Sequence, residues 1–189
     1  MSSIQLKSGP YTVDDLYALQ DDKRYEIYDG EIQRVPPPAL THQRACKALY
    51  RRLDRFVSDR NLGDVYFAPV TLILSDTDYV EPDLVYVSGA RRDILTDRGI
   101  DGCPDLVVEV LSPSTKHRDL SVKSKIYARF GVPHCWILDP SRHELVAFEL
   151  RDGELAEVSR RGGDQTFEPG LFEGLQIDVG DLWFRTGES

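Results

Sequence analysis

The run Leu106-Val107-Val108-Glu109-Val110-Leu111 most constrains what this chain can fold into. Apolar at every position but one, it reads as a strand buried on both faces of a covered sheet. A strand of that kind runs through the interior, so its single carboxylate is carried inside with it. An unpaired charge there is very costly. Strand period puts Glu109 on the same face as Asp105, Val107 and Leu111. An edge position would relieve the cost, but the flanking valines and leucines argue against an edge. Glu109 needs a cation.

Lys123 is the candidate partner. Residues 119–130 read as a helix, ended by Gly131 with Pro133 beyond it. At about 100° per residue, Val122, Ile126, Tyr127 and Phe130 fall within an arc of about 140°. Lys123 points into that arc, while Lys125 and Arg129 lie outside it. Asp119 projects inward one turn earlier, where an i,i+4 contact would hold the ammonium. Taken alone, Lys123 also permits a plainer reading, with its stem buried and its head in water.

Asp83 completes the set. It follows Pro82 at the start of the strand-like stretch 81–88 (EPDLVYVS), and side chains at strand ends commonly face a cleft. Pro-Asp is also an ordinary way to begin a strand, and the pair recurs at Pro104-Asp105. Asp105 lies four residues before Glu109, too far along an extended strand to share one ligand with it. Two carboxylates near one lysine suit a hard divalent cation such as Mg²⁺, which keeps several waters and accepts phosphate oxygens. Such an ion stabilises charge on a reacting phosphate and acidifies a bound water. A nearby lysine can orient that water or act as a base.

Elsewhere the chain alternates elements closely, without repeats or long linkers. Residues 12–19 read as a short helix with Thr12 as its cap. Residues 24–35 read as a hairpin turning at Asp29-Gly30, stopped by Pro36-Pro37-Pro38. Residues 41–60 form the clearest helix, with Ala45, Leu49, Leu53, Phe56 and Val57 on one side. Arg44, Lys47, Arg51 and Arg55 occupy a narrow arc on the other. That stripe fits a phosphate-facing surface and equally a solvated face. VYFAPVTLILS (65–75) reads as a strand joined to 81–88 across Asp76-Thr77-Asp78. A polar connection (89–103) leads to the strand 104–112, and 134–140 (HCWILDP) is another central strand. ELVAFEL and ELAEVSR make a hairpin across Arg151-Asp152-Gly153, and 174–184 adds a last strand or short helix. The expectation is a mixed α/β (α+β) architecture: one central sheet flanked by helices, with added antiparallel hairpins.

At 189 residues, with 41 % of them apolar, the chain is of a size for one domain spanning 1–189. No apolar run approaches membrane-spanning length and the N-terminus lacks a signal-peptide core, so no membrane association and a cytoplasmic location are expected. The three cysteines are far apart and odd in number, which suggests neither a disulfide framework nor a zinc ribbon. The net charge of −9 cuts against a polyanion binder unless positive charge is gathered on one face.

Several stretches together resemble one family: RYEIYDGE, a His early in the next helix, EPDLVYVS, PDLVVEVLSPST, an Asp-x-x-x-Lys-x-x-x-Tyr helix and GVPHCWILDP. From about Tyr11 to about Phe184 the chain is similar to the bacterial Uma-two family, a branch of the PD-(D/E)XK nuclease superfamily. The resemblance implies a restriction-endonuclease-like fold and a Mg²⁺-dependent endonuclease acting on DNA, with Mn²⁺ able to substitute. It carries the Asp of "PD" to Asp83 and the acid of "(D/E)" to Glu109, with the backbone carbonyl of Val110 as a further ligand. The usual motif lysine, two residues after the acid, is Leu111 here. The resembling family supplies it from the next helix, at Lys123. Glu26 and His42 match family positions that line the cleft. His42 lies on the core-facing arc of its helix, where a lone histidine is more often simply packed.

Two other functions remain compatible with these residues. One is a catalytically silent interaction module that keeps the nuclease fold, which the acidic charge favours. The other is a phosphodiesterase acting on another nucleic acid or a nucleotide. A homodimer is expected, because a small nuclease must pair two sites to cut both strands and two-fold dimers are the commonest oligomers.

Overall fold

The computed structural model describes residues 9–19, 23–112 and 118–183, with backbone only at 118–120. Helix α1, Val13–Ala18, is started by Thr12. Its Oγ1 accepts from Asp15 N at 3.4 Å, and Asp15 Oδ2 accepts from Thr12 N at 2.8 Å, closing a capping box. Strands β1 (Tyr25–Tyr28) and β2 (Glu31–Arg34) form the expected hairpin. Asp29 and Gly30, at φ 49° and 79°, both adopt the left-handed conformation that a tight hairpin turn requires. Helix α2, Leu40–Asp59, buries Ala45, Leu49, Leu53, Phe56 and Val57, the five residues of its apolar arc.

The strands that follow are β3 (Gly63–Phe67), β4 (Leu72–Ser75), β5 (Asp78–Val80), β6 (Leu84–Ser88), β7 (Leu95–Thr96), β8 (Gly99–Asp101) and β9 (Leu106–Val110). A π-helical turn, Arg118–Lys123, runs straight into α3, Ser124–Arg129. Then come β10 (His134–Asp139), β11 (Glu144–Arg151), β12 (Glu154–Gly162), β13 (Thr166–Phe167) and β14 (Ile177–Asp178), with a 3₁₀ turn over Val179–Leu182.

A six-stranded sheet in the order β12-β11-β10-β9-β6-β3 forms the centre. Its β9 and β10 run parallel, joined through α3, and its other neighbours are antiparallel. Alternation along β9 explains how both faces are sealed. Leu106, Val108 and Val110 point to the face covered by α2, whereas Val107 and the following Leu111 pack with Ile126 and Tyr127 of α3.

The mixed central sheet flanked by helices is as expected; what differs is that the added strands make a second six-stranded sheet, β2-β1-β5-β4-β8-β7, and a small pair, β13-β14. Two local features hid it. Proline has no N–H for a ladder, and Pro69 divides VYFAPVTLILS into β3 of the central sheet and β4 of the second. The polar stretch 89–103, read as a connection, contains a 3₁₀ turn (Gly89–Ile94) and the edge strands β7 and β8. Those strands bury only Ile100, so they carry no period to detect. The stretch 81–88 splits as well, since its strand begins at Leu84 and leaves Asp83 just outside the ladder. No helix among the described residues is long and apolar enough to cross a membrane.

Gly63 opens β3 at φ 152°, where a Cβ would sit 2.2 Å from the Val87 carbonyl oxygen on β6. Gly63→Ala is therefore expected to destabilise by more than about 1 kcal/mol, read as a lowered urea midpoint at unchanged m-value.

Candidate active site

The pairing of Leu84 with Val108 in the β6–β9 ladder sets Asp83 directly opposite Glu109. The backbone fixes Asp83 there: its N–H donates to Val108 O at 3.1 Å, and its Oδ2 accepts from Val110 N at 2.7 Å. The same Oδ2 lies 3.1 Å from His42 Nε2, in the first turn of α2. One turn later, Cys46 Sγ is 3.5 Å from His42 Nδ1. Both contacts to Asp83 use Oδ2, which leaves Oδ1 for a ligand.

Glu109 has the cation its burial demands. Lys123 Nζ donates to Glu109 Oε1 and Oε2 at 3.0 and 3.1 Å, and the Tyr127 hydroxyl donates to Oε1 at 2.5 Å. Lys123 Nζ also lies 2.8 Å from Glu26 Oε1 on β1. Glu26 in turn accepts from Glu81 N at 2.9 Å and from the Tyr28 hydroxyl. Glu26, Glu109 and Lys123 are only 2, 2 and 4 % exposed, so the lysine is fully committed and does not snorkel. One ammonium between two carboxylates leaves a formal charge of −1, and Asp83 makes it −2. Neighbouring groups register that field. Burial, reinforced by Asp83 and Glu109, pushes the Cys46 thiol far above its usual range. Burial and the Glu109 charge do the same to the Tyr127 phenol.

These groups line one cavity of about 760 Å³, bounded by α2, the Pro36–Pro38 segment after β2, and the β3–β4 connection. Asp83, Glu109, Lys123, Glu26, His42 and Val110 all line it, and so do Lys47 and Arg51 of the basic stripe. The rest of that stripe is elsewhere: Arg44 Nε donates to Trp183 O at 3.1 Å, and Arg55 pairs with Asp59 at 3.6 Å. The side chain of Asp119 lies outside the described residues. Asp105 is at the far end of β9, where it accepts from Ser88 N at 2.7 Å and faces Arg91 at 3.3 Å.

Two further residues support the site. Tyr127 lies on the apolar arc of its helix and is the Tyr of the Asp-x-x-x-Lys-x-x-x-Tyr pattern; one turn after the buried lysine, it donates to the same carboxylate. Arg24, on the rim, meets Glu81 at 2.6 Å, a contact across 57 positions that no local pattern encodes. The donor set fits a hard divalent ion: Asp83 Oδ1, the Glu109 carboxylate and the Val110 carbonyl are all oxygens, in a pocket of negative charge. His42, Cys46 and Asp83 bring a nitrogen, a sulfur and an oxygen within 4.8 Å of one another, a set that softer metals prefer.

The fold is of the restriction-endonuclease-like class. A protein of Anabaena variabilis ATCC 29413, described as a "putative nuclease belonging to DUF820", superimposes with a TM-score of 0.74 at 18 % identity, over 92 % of this chain and 97 % of that one. The Uma2 family model, described as "Putative restriction endonuclease", matches residues 13–180, and the chain belongs to that family. No curated protein matches it significantly.

Lys123→Met should cost about 3–5 kcal/mol, because it strands two buried carboxylates. Adding Glu26→Gln to that variant should recover part of the loss in urea titrations. Glu81 supplies a pH test. Burial raises its carboxyl from 4.5, with Arg24 pulling the other way. The native state thus holds this proton more tightly than the unfolded chain does. Its stabilising effect is present below 4.5 and is lost as pH rises through the native value. Glu81→Gln should flatten that decline in unfolding midpoints measured across the same interval.

Proposed function

We propose that the chain is a Mg²⁺-dependent endonuclease that hydrolyses phosphodiester bonds in DNA, working in the cytoplasm as a homodimer. The observation that carries this reading is a strand carboxylate, Glu109, held by a buried lysine and set opposite a second, ligand-available carboxylate, Asp83, in one cavity. Asp83, Glu109 and the Val110 carbonyl would hold the ion, and Mn²⁺ would substitute. When bound, it supplies charge for the phosphate oxygens and a more acidic water.

The chain's own groups do the rest. The backbone N–H of Val110 and the ring of His42 fix the rotamer of Asp83, so its free oxygen is held ready rather than found on binding. Lys123 and Tyr127 hold Glu109 in one orientation, and the ammonium offsets part of the charge of the two buried carboxylates it joins. Lys47 and Arg51, exposed on the rim, take the flanking phosphates. His42 and Glu26 are supporting groups: one orients Asp83, the other fixes Lys123 from the far side.

The net charge of −9 favours a second reading, a nuclease-fold interaction module without activity. Calorimetry separates the two, because Mn²⁺ binding that is lost in Glu109→Ala belongs only to the first. The leading reading expects purified protein to cut DNA with Mg²⁺ or Mn²⁺ and to stop with EDTA. Asp83→Asn should lower the rate by at least about 100-fold, with circular dichroism unchanged. Metal-dependent cutting that survives Asp83→Asn would overturn it.

A further inference from the structure

Phe67 is a large apolar side chain left 57 % exposed, although it belongs to the central sheet and lines the cavity. It ends β3, paired with Leu84, the residue next to Asp83. The following Ala68 N–H donates to the Asp83 carbonyl at 3.0 Å, so the ring is tied by backbone to the candidate ligand. Tyr50 of α2 supports it edge-on, with centroids 4.8 Å apart and planes at 64°. Tyr50 thus braces the Phe67 ring while the residue as a whole stays largely in solvent. Lys47 and Arg51, on either side of Tyr50 in sequence, stand on the same rim and pair with no acid among the described residues. Arg24, the third rim cation, is already held by Glu81.

Three features bear on what fits here. The cavity, about 760 Å³, is of the size that small ligands occupy. It can take a nucleotide but not a paired helix. The positive charge suffices for a few phosphates, far from the roughly 6–10 contacts by which duplex binders gain affinity. An exposed, braced aromatic beside cations is the arrangement with which proteins hold single strands, since every base presents a face to stack on.

We infer that the cavity takes an unstacked nucleotide of single-stranded DNA, its base on Phe67 with Tyr50 behind, and its phosphates between Lys47, Arg51 and the Asp83–Glu109 pair. This rests on the phosphodiesterase reading and narrows its substrate from DNA in general to a strand whose bases are free. Phe67 and Tyr50 are then specificity-determining residues. They act on the base, whereas Lys47 and Arg51 act on the backbone.

The test uses the full chain with Ca²⁺ in place of Mg²⁺, and fluorescence anisotropy of three labelled probes: a short single strand, the same strand with its central nucleotides abasic, and the blunt duplex. The wild type should bind the single strand more tightly than the abasic strand or the duplex. Phe67→Ala should weaken the base-containing strand by about 5- to 150-fold, the span of base–aromatic stacking. The preference for it over the abasic strand should collapse. Phe67→Trp should restore that preference, which a purely structural role of the ring would not predict. A preference unchanged in Phe67→Ala, or tighter binding of the duplex, overturns the inference and leaves the nuclease reading standing. If Phe67→Ala instead shifts the sedimentation coefficient with the preference intact, the ring belongs to an interface between copies and the inference fails. Binding to none of the three probes would remove the nuclease reading as well.

Discussion

The ammonium of Lys123 lies where three parts of the fold converge. Glu109 comes from the middle of the central sheet, Glu26 from the second sheet, and Lys123 from the helical turn leading into α3. Burying an ion pair is expensive, and well-packed apolar groups of the same volume often serve stability as well or better. Stability is thus a poor explanation for three charged residues in the interior. Geometry is a better one. The triad can be satisfied only when the β1–β2 hairpin sits over the end of β9 at one distance, and that distance defines the floor of the cavity.

From this floor the remainder follows by strand periodicity. Glu109 has neighbours of opposite facing on either side, so the strand that presents it can also be sealed by α2 on one face and α3 on the other. The antiparallel register with β6 brings Asp83 opposite it. Asp83 is fixed by backbone, through Val108 and Val110, with the His42 ring against the same oxygen. One carboxylate is therefore pinned by side chains and the other mainly by a backbone N–H of the neighbouring strand. The two can differ in hydrogen bonding while sharing one opening to solvent.

Glu109 and Lys123 were legible in the sequence because burial is a local property: a charge in an apolar run, or on an apolar helical arc, contradicts its surroundings within a few residues. The five buried positions of α2 were legible for the same reason. Asp83 is separated from Asp105 mostly by the family resemblance, with reach along a strand as the one local argument, and the two lie at opposite ends of β9. What stayed hidden depends on distant pairing. Glu26 lies in an ordinary-looking hairpin and is marked only by the family resemblance; its contact with Lys123 joins the second sheet to the helical turn before α3, which no local pattern encodes. The second sheet is built of strands as short as two or three residues, below the length at which alternation can be counted. The basic stripe shows the limit of a helical wheel, which groups Arg44 and Arg55 with Lys47 and Arg51 though only the latter pair reaches the cavity.

The acidic net charge and the candidate chemistry are reconciled by scale. Salt at physiological strength screens exposed charges beyond about 8 Å, so the distant acids behind a net charge of −9 act weakly on a phosphate at the cavity mouth. The local set decides: three carboxylates and one ammonium within, Lys47 and Arg51 at the rim. Inside, where screening is weak, the surplus of negative charge repels a bare phosphate and attracts a divalent cation. The pocket is therefore suited to take its phosphate through an ion rather than directly. A mononegative interior alone would not require this, and it is Asp83, placed by register rather than by its own burial, that tips the balance.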